Sequence, residues 1–319
     1  MALQLTFGEA SATGPRSENQ DAIRVVTPAP ALAASKGYLF ALADGVSQCA
    51  DGGLAARATL QALALDYYST PETWAVTQSL DRVLVAHNRW LQANGGGQPL
   101  LTTLSALILR GRRFTLAHVG DCRAYRWLNG TLERLSEDHV WEQPGMQHVL
   151  KRAMGLDQHL VMDYLDGELR EGECFVLVSD GIWATLGDAG IQRILHDEQD
   201  LPAASRALVN AAHLAGSQDN ASALLLRVEA LPQSDLADTL AQLASHLQHL
   251  LSQMTGGGQR CLAELTLLDP AQQQRIVDDW NLIGEGFAAD YHYHLIFSGQ
   301  RWYLSEVFYV DQDGQYESL

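Results

Sequence analysis

Five aspartates in this chain stand where an apolar run meets a turn. Asp44 closes Leu39-Phe40-Ala41-Leu42-Ala43, and Asp180 closes Cys174-Phe175-Val176-Leu177-Val178-Ser179; each is followed by glycine, Gly45 or Gly181. Asp21 opens the run Ala22 to Val26, Asp121 separates Phe114 to Val119 from Cys122 to Leu128, and Asp219 precedes Ala221 to Val228. Short apolar runs bounded by turn signals read as buried strands. These carboxylates therefore lie at the lip of a core, where an unpaired charge is costly. Asp-Gly is also an ordinary turn dipeptide, so neither pair carries the argument alone. Taken as a set, oxygen donors without nearby His or Cys pairs suit Mg²⁺ or Mn²⁺ rather than zinc. Carboxylates converging on one point repel, and need bound cations or raised pKa values. Two cations about 3.5–4 Å apart can share a water, lower its pKa and aim it in line at a phosphorus. Arg16 lies in the same turn as Asp21, where a planar guanidinium can hold two phosphate oxygens.

The elements that must position these residues are strand-rich. Strands are expected at Leu3 to Phe7, Ala22 to Val26, Leu39 to Ala43, Thr102 to Leu109, Phe114 to Val119, Cys122 to Leu128, Leu160 to Leu165, Cys174 to Val178 and Ala221 to Val228. Asn129-Gly130 is a strong hairpin turn. Helices are expected at Leu54 to Tyr68, Glu72 to Gln92, Ala189 to Glu198 and Ala203 to Ala215, with partial helix in Val140 to Leu156. Strand-rich stretches interrupted by helix pairs fit an α+β layered domain better than a βαβ repeat.

A composition shift follows Leu231-Pro232. Leu236, Leu240, Leu243, Leu247, Leu250, Leu251 and Met254 recur at helical spacing, and Gly256-Gly257-Gly258 then reads as a flexible break. A helix is expected from Asp269-Pro270 to Trp280, and a hairpin from Tyr291 to Val310 across Ser298-Gly299-Gln300. The expected organisation is therefore 1–231 as one domain, 232–258 as amphipathic helix and linker, and 259–319 as a small α+β module. That module is expected to dock on the domain or a partner through Trp302, Tyr303, Phe308 and Tyr309. His292 and His294 share a strand face, a spacing compatible with metal, but the sequence supplies no evident third ligand.

Of 319 residues, 47% are hydrophobic and 18% charged, enough for a sizeable core and too few charges for a disordered chain. The net charge of −17 argues against nucleic acid or an anionic membrane as a primary partner. No apolar run reaches bilayer length, and the N-terminus lacks the pattern of a signal peptide. Four scattered cysteines without a CxxC suggest reduced thiols and a cytoplasmic setting.

The ordered segments RSENQD, LADG, Thr102-Thr103, VGDCRAY, LSEDHV, LKRAMG, LVSDGIW and SQDNAS resemble those of the metal-dependent serine/threonine protein phosphatases of type 2C, in their bacterial style. The resemblance runs in the family's order over about residues 1 to 231. It implies a four-layer α-β-β-α sandwich, two Mn²⁺ or Mg²⁺ ions with a third, weaker position, and hydrolysis of phosphoserine or phosphothreonine proteins by direct attack of a dimetal-bound hydroxide. By the same resemblance Asp44 bridges both metals, and the Gly45 carbonyl helps hold the first. Asp180 and Asp219 complete the second, and Asp21 holds metal-bound waters. Asp121 serves the third position with Asp180, and Arg16 binds the phosphate. Asn220 is a neighbour rather than a ligand, and a cognate Ser/Thr kinase is the natural opposing partner.

Three departures stand out. Gln20 replaces a frequent glutamate. Asp44-Gly45-Val46-Ser47-Gln48 lacks the histidine that eukaryotic members carry there, leaving the leaving-group proton to a metal-bound water or another group. His139 is one candidate, although a structural role for it is favoured. Cys122 replaces a usual serine and is expected to be a small buried residue. A non-catalytic phosphoprotein-binding module, with the tail as its working part, is the alternative reading.

Overall fold

Alternation along the strands builds the molecule. In Tyr38–Asp44 (β3), Leu39, Ala41 and Ala43 face one core while Phe40 and Leu42 face another, as period-two geometry requires. The structure, a computed structural model, describes residues 3–143, 145–146 and 149–232, and the backbone of 291–298, 301–310 and 316–318. The chain divides into two compact units, Met1–Pro232 and Gln233–Leu319.

The first unit holds two antiparallel five-stranded sheets. One is formed by Gln4–Ala12 (β1), Ala221–Ala230 (β10), Cys174–Val178 (β9), Arg123–Leu128 (β6) and Thr131–Arg134 (β7), in that order. The other runs Asp21–Val26 (β2), β3, Leu104–Arg110 (β4), Arg113–Val119 (β5) and Asp163–Glu168 (β8). Phe40, Leu42, Leu107, Leu116, Phe175 and Leu224 fill the space between the sheets. The second sheet buries its outer face under helices Gly52–Ser69 (α2) and Val76–Ala93 (α3), through Leu60, Leu63, Leu80 and Leu84. The first buries its outer face under Asp180–Asp197 (α4) and Leu201–Leu214 (α5), through Ile182, Ile191, Leu208 and Val209. Helix, sheet, sheet and helix give the expected four layers.

Several elements differ from their sequence reading. The short helix Pro30–Lys36 (α1) was not expected; Pro30 presets its first turn. Helix α3 starts at Val76 rather than Glu72, and β8 starts at Asp163 rather than Leu160. Among the described residues 140–156 no helix forms. Instead Trp141 N–H bonds the Val149 carbonyl at 3.0 Å, and Met154 bridges Thr102. Pro144-Gly145 interrupts any helical pattern there. Helix α4 begins nine positions earlier than expected, at Asp180, with Ser179 as N-cap. An acidic residue suits that first turn, and Gly187 (φ 61°) breaks the helix internally.

Lys36 is buried to 1% exposure, with Nζ donating to Thr70 Oγ1 at 2.6 Å and to the Pro71 carbonyl at 2.8 Å. It satisfies the turn between α2 and α3. Lys36→Ala is expected to cost about 2–3 kcal/mol of stability, the scale of hydrogen bonds from a charged donor, as read from urea unfolding.

In the second unit Tyr291–Ser298 (β11), Arg301–Val310 (β12) and Tyr316–Ser318 (β13) form an antiparallel sheet, including the expected hairpin. His292 pairs in register with Phe308, and His294 with Glu306. The expected helices at 235–254 and 269–280 and the glycine break lie outside the described residues. Among the described residues no helix is long and apolar enough to cross a membrane.

Candidate active site

All five aspartates fall at one end of the sandwich. Asp21 and Asp44 are register partners on β2 and β3 of one sheet. Asp180 follows β9 and Asp219 precedes β10, neighbouring strands of the other sheet. Asp121 sits where the chain crosses from β5 to β6, from sheet to sheet.

The backbone that carries Asp44 is held on every side. Its N–H donates to Thr103 Oγ1 at 2.9 Å, and its carbonyl accepts Thr102 Oγ1 at 2.9 Å and Thr103 N–H at 2.8 Å. Gly45 N–H donates to the Gln20 carbonyl at 3.1 Å. A Cβ on Gly45 would stand 2.1 Å from the Gly52 carbonyl oxygen, at the start of α2. Two glycine backbones therefore touch here, and Asp51 caps the helix through its Oδ1, 2.7 Å from Leu54 N–H.

Asp21 is 8% exposed; Oδ2 accepts Ser179 Oγ at 2.9 Å, while Oδ1 is buried without a hydrogen-bond partner. Asn220 pins the turn that carries Arg16: its Nδ2 donates to the Thr13 and Glu18 carbonyls at 2.8 and 2.9 Å, and its Oδ1 accepts Gln20 N–H at 2.9 Å. Arg16 reaches the cluster. Its Nη2 donates to Asp219 Oδ2 at 2.6 Å and its Nε to the Gln218 carbonyl at 3.1 Å, with the side chain 44% exposed.

Burial and like charge dominate the electrostatics. Burial holds the Asp44 carboxyl well above the usual carboxylate range, helped by Asp21, Asp180, Asp121 and Asp219. Burial pushes Asp21 up to about 6 against hydrogen bonds that favour its charge, and pushes Asp121 up to about 7 with Asp180 adding to it. Asp180 is raised by burial and by Asp219. Raised folded-state values mean that the folded chain holds protons the unfolded chain has lost. For Asp121 this penalty accumulates between about pH 4 and 7 and is constant above that. In chelator, Asp121→Asn is therefore expected to gain stability over the parent as pH rises through that window, measured by urea unfolding at each pH. An equal difference at pH 4 and pH 8 would contradict it.

These residues fit hard divalent cations. Every donor is an oxygen, one buried carboxylate oxygen is orphaned, and mutual repulsion acts on the carboxylates even with the Arg16 guanidinium beside Asp219. Among the described residues no three His, Cys, Asp or Glu side chains close into a ready-made cage. Mg²⁺-like ions keep several waters and take one or two carboxylates directly.

His139 is not aimed at this cluster. Its Nδ1 accepts Gly120 N–H at 3.1 Å, so the proton sits on Nε2, which donates to Asp163 Oδ2 at 2.8 Å. It is 3% exposed, and burial lowers its pKa. The structural role is the one the geometry supports. Cys122 is fully buried, 3.1 Å from Thr103 Oγ1, and burial raises its thiol pKa, as expected of a packing residue. Thr102, Thr103 and Ser179 have no assigned task in the sequence; only Ser179 adjoins a ligand candidate in the chain, Asp180, and its partner is the distant Asp21.

A family model described as protein phosphatase 2C matches residues 11–226. The serine/threonine phosphatase stp of Listeria welshimeri is 25% identical over 224 residues, covering 66% of this chain and 86% of that protein. Among solved structures, PppA of Pseudomonas aeruginosa, described as a key regulatory component of its T6SS, is 27% identical with a TM-score of 0.62, covering 70% of this chain and 98% of that one. The catalytic domain of the phosphatase PstP, in complex with two manganese ions, is 25% identical with a TM-score of 0.61, covering 71% of this chain and 99% of that one. The matched span takes in all five aspartates, β2 to β9 whole and the turn that carries Arg16, and on that basis the chain belongs to the protein phosphatase 2C family.

Proposed function

We propose that this chain is a metal-dependent protein serine/threonine phosphatase acting on phosphoserine and phosphothreonine proteins. The observation that carries the reading is the convergence of five aspartates from both sheets on one rim, with Arg16 beside them. Asp44 and the Gly45 carbonyl would hold one cation, and Asp44, Asp180 and Asp219 a second. Asp21 would act through bound waters, and Asp121 with Asp180 would form a weaker third position. When bound, Mn²⁺ or Mg²⁺ supplies Lewis-acid stabilisation and a water of lowered pKa. The chain's own part is to orient. Thr102 and Thr103 fix the Asp44 backbone, Ser179 fixes Asp21, and Asn220 fixes the turn from which Arg16 meets the phosphate. With His139 turned to Gly120 and Asp163, it would not supply the leaving oxygen's proton, which leaves a water or another group at the site to do so. Unpaired Cys49, Cys122 and Cys174 support a reducing, cytoplasmic setting.

Hydrolysis of a phosphothreonine peptide by the full chain, with Mn²⁺, with Mg²⁺ and with excess chelator, tests the reading. Turnover that needs metal supports it. Folded protein that binds the peptide without turnover under any condition would instead establish the non-catalytic binding module. Arg16→Ala is expected to lower kcat/KM by about 10- to 100-fold, mostly through KM, the worth of a charge-assisted contact to phosphate.

A further inference from the structure

The turn that carries Asp121 is held by more than a two-strand connection needs. Gly120 has φ 109°, and a Cβ there would lie 2.5 Å from Thr103 Cβ, so only glycine lets the chain pass. His139 grips Gly120 twice: its N–H donates to the Gly120 carbonyl at 2.7 Å, and its Nδ1 accepts the Gly120 N–H at 3.1 Å. The next carbonyl, that of Asp121, accepts Trp183 Nε1–H at 2.8 Å. Trp183 lies near the start of α4, close after Asp180.

The two grips are joined to each other. The Arg123 guanidinium lies 3.5 Å from the Trp183 ring centroid. Arg123 Nε and Nη2 donate to the two oxygens of Asp138 at 3.1 and 2.8 Å, and both side chains are only 15% exposed. Arg134 holds Asp138 as well. Asp138 immediately precedes His139, so the contacts close into a circuit from Gly120 through His139, Asp138, Arg123 and Trp183 to the Asp121 carbonyl. The Gly120 carbonyl and the Asp121 carbonyl belong to the two peptide planes that flank the Asp121 Cα. With both rigid planes pinned, the direction of the Asp121 Cα–Cβ bond is set, and the side chain keeps only its own rotamers. The strongest charge acting on that carboxylate is Asp180.

We propose that His139 and Trp183 are positioning residues for Asp121: the circuit aims its carboxylate at Asp180 and so sets the affinity of the weaker divalent-cation position that these two carboxylates form. The proposal rests on the reading above that Asp121 and Asp180 hold a cation.

Calorimetric titration of the chelator-treated full chain with Mn²⁺ tests it, with metal-free melting temperature measured in parallel. Trp183→Phe keeps an aromatic ring under Arg123 and removes the N–H that reaches Asp121. It is expected to weaken the weakest class of sites about tenfold, the scale of one net hydrogen bond, and to leave the tighter class within about twofold. His139→Asn retains an oxygen acceptor for Gly120 N–H, and should weaken the same class less than His139→Ala does. Asp121→Asn should remove the class altogether. If Asp121→Asn removes it while Trp183→Phe and His139→Ala bind as the parent does, the circuit does not position Asp121 and the proposal falls alone. If Asp121→Asn leaves the isotherm unchanged, no cation sits there, and both the reading and the proposal fall. Equal loss across all classes, with a matching fall in metal-free melting temperature, would mark an ordinary structural role and also overturn the proposal.

Discussion

Asp44→Asn is expected to lower phosphothreonine-peptide turnover by about a thousandfold or more while raising the melting temperature of the metal-free chain. The two effects share one cause. Asp44 is the carboxylate on which burial and four neighbouring aspartates all act in the same direction. Neutralising it relieves that repulsion in the folded state, and one kcal/mol recovered in a unit of this size is worth about 2–4 °C. The same neutralisation removes the donor that both cations would share, and a loss of about 4 kcal/mol in transition-state stabilisation is a thousandfold in rate. Steady-state kinetics with saturating Mn²⁺, beside a melt in chelator, gives both readouts on one preparation. Turnover within tenfold of the parent would remove Asp44 from the centre of the chemistry. A lower metal-free melting temperature would show that its carboxylate is balanced by contacts other than those described.

The second large effect is expected at a residue with no side chain. Gly45→Ala would place a methyl 2.1 Å from the Gly52 carbonyl oxygen, a backbone atom at the start of α2 that no rotamer change can move aside. The strand end or the helix must shift, and a cost of about 3 kcal/mol or more is expected, at the upper end of the overpacking range. That corresponds to about 6–12 °C in melting temperature. Because the Gly45 carbonyl is a ligand candidate, Mn²⁺ affinity should fall in the same variant. Equal melting temperatures for Gly45→Ala and the parent would mean that the close approach of Gly45 and Gly52 is not maintained in solution.

The aspartates were legible in the sequence because each ends or opens an apolar run, and burial makes a carboxylate in that place conspicuous. The strands themselves were legible for the same reason, as in Cys174–Val178, where every residue is buried. The four-layer arrangement was not a matter of periodicity; it came from the order of the motifs. What stayed hidden depends on partners far away in the chain. Asn220 does its work on Thr13, Glu18 and Gln20, and Ser179 on Asp21, at separations no local pattern reports. The start of α4 was misplaced because Asp180-Gly181 has the composition of a turn, while the Ser179 carbonyl, which accepts the Ile182 and Trp183 N–H groups, and the buried Ile182 make it a helix entry. His139 shows the limit most plainly. Its residue type admits acid catalysis and packing alike, and only its two hydrogen bonds decide between them.

The carboxylates belong to different sheets: Asp21 and Asp44 to one, Asp180 and Asp219 to the strand ends of the other. Their repulsion therefore acts across the seam of the sandwich, prising its two halves apart at the rim of the proposed site. The apolar filling of Phe40, Leu42, Phe175 and Leu224 opposes that opening from within. A divalent ion held at the rim as proposed would close the same seam from outside, like a rivet through two plates. Amide hydrogens near Gly45 and Gly181 should then exchange more slowly when Mn²⁺ is added, while those at the opposite strand ends, near Tyr38 and Cys174, keep their rates. On the proposed reading, catalytic readiness and the mechanical closure of the fold would be one equilibrium.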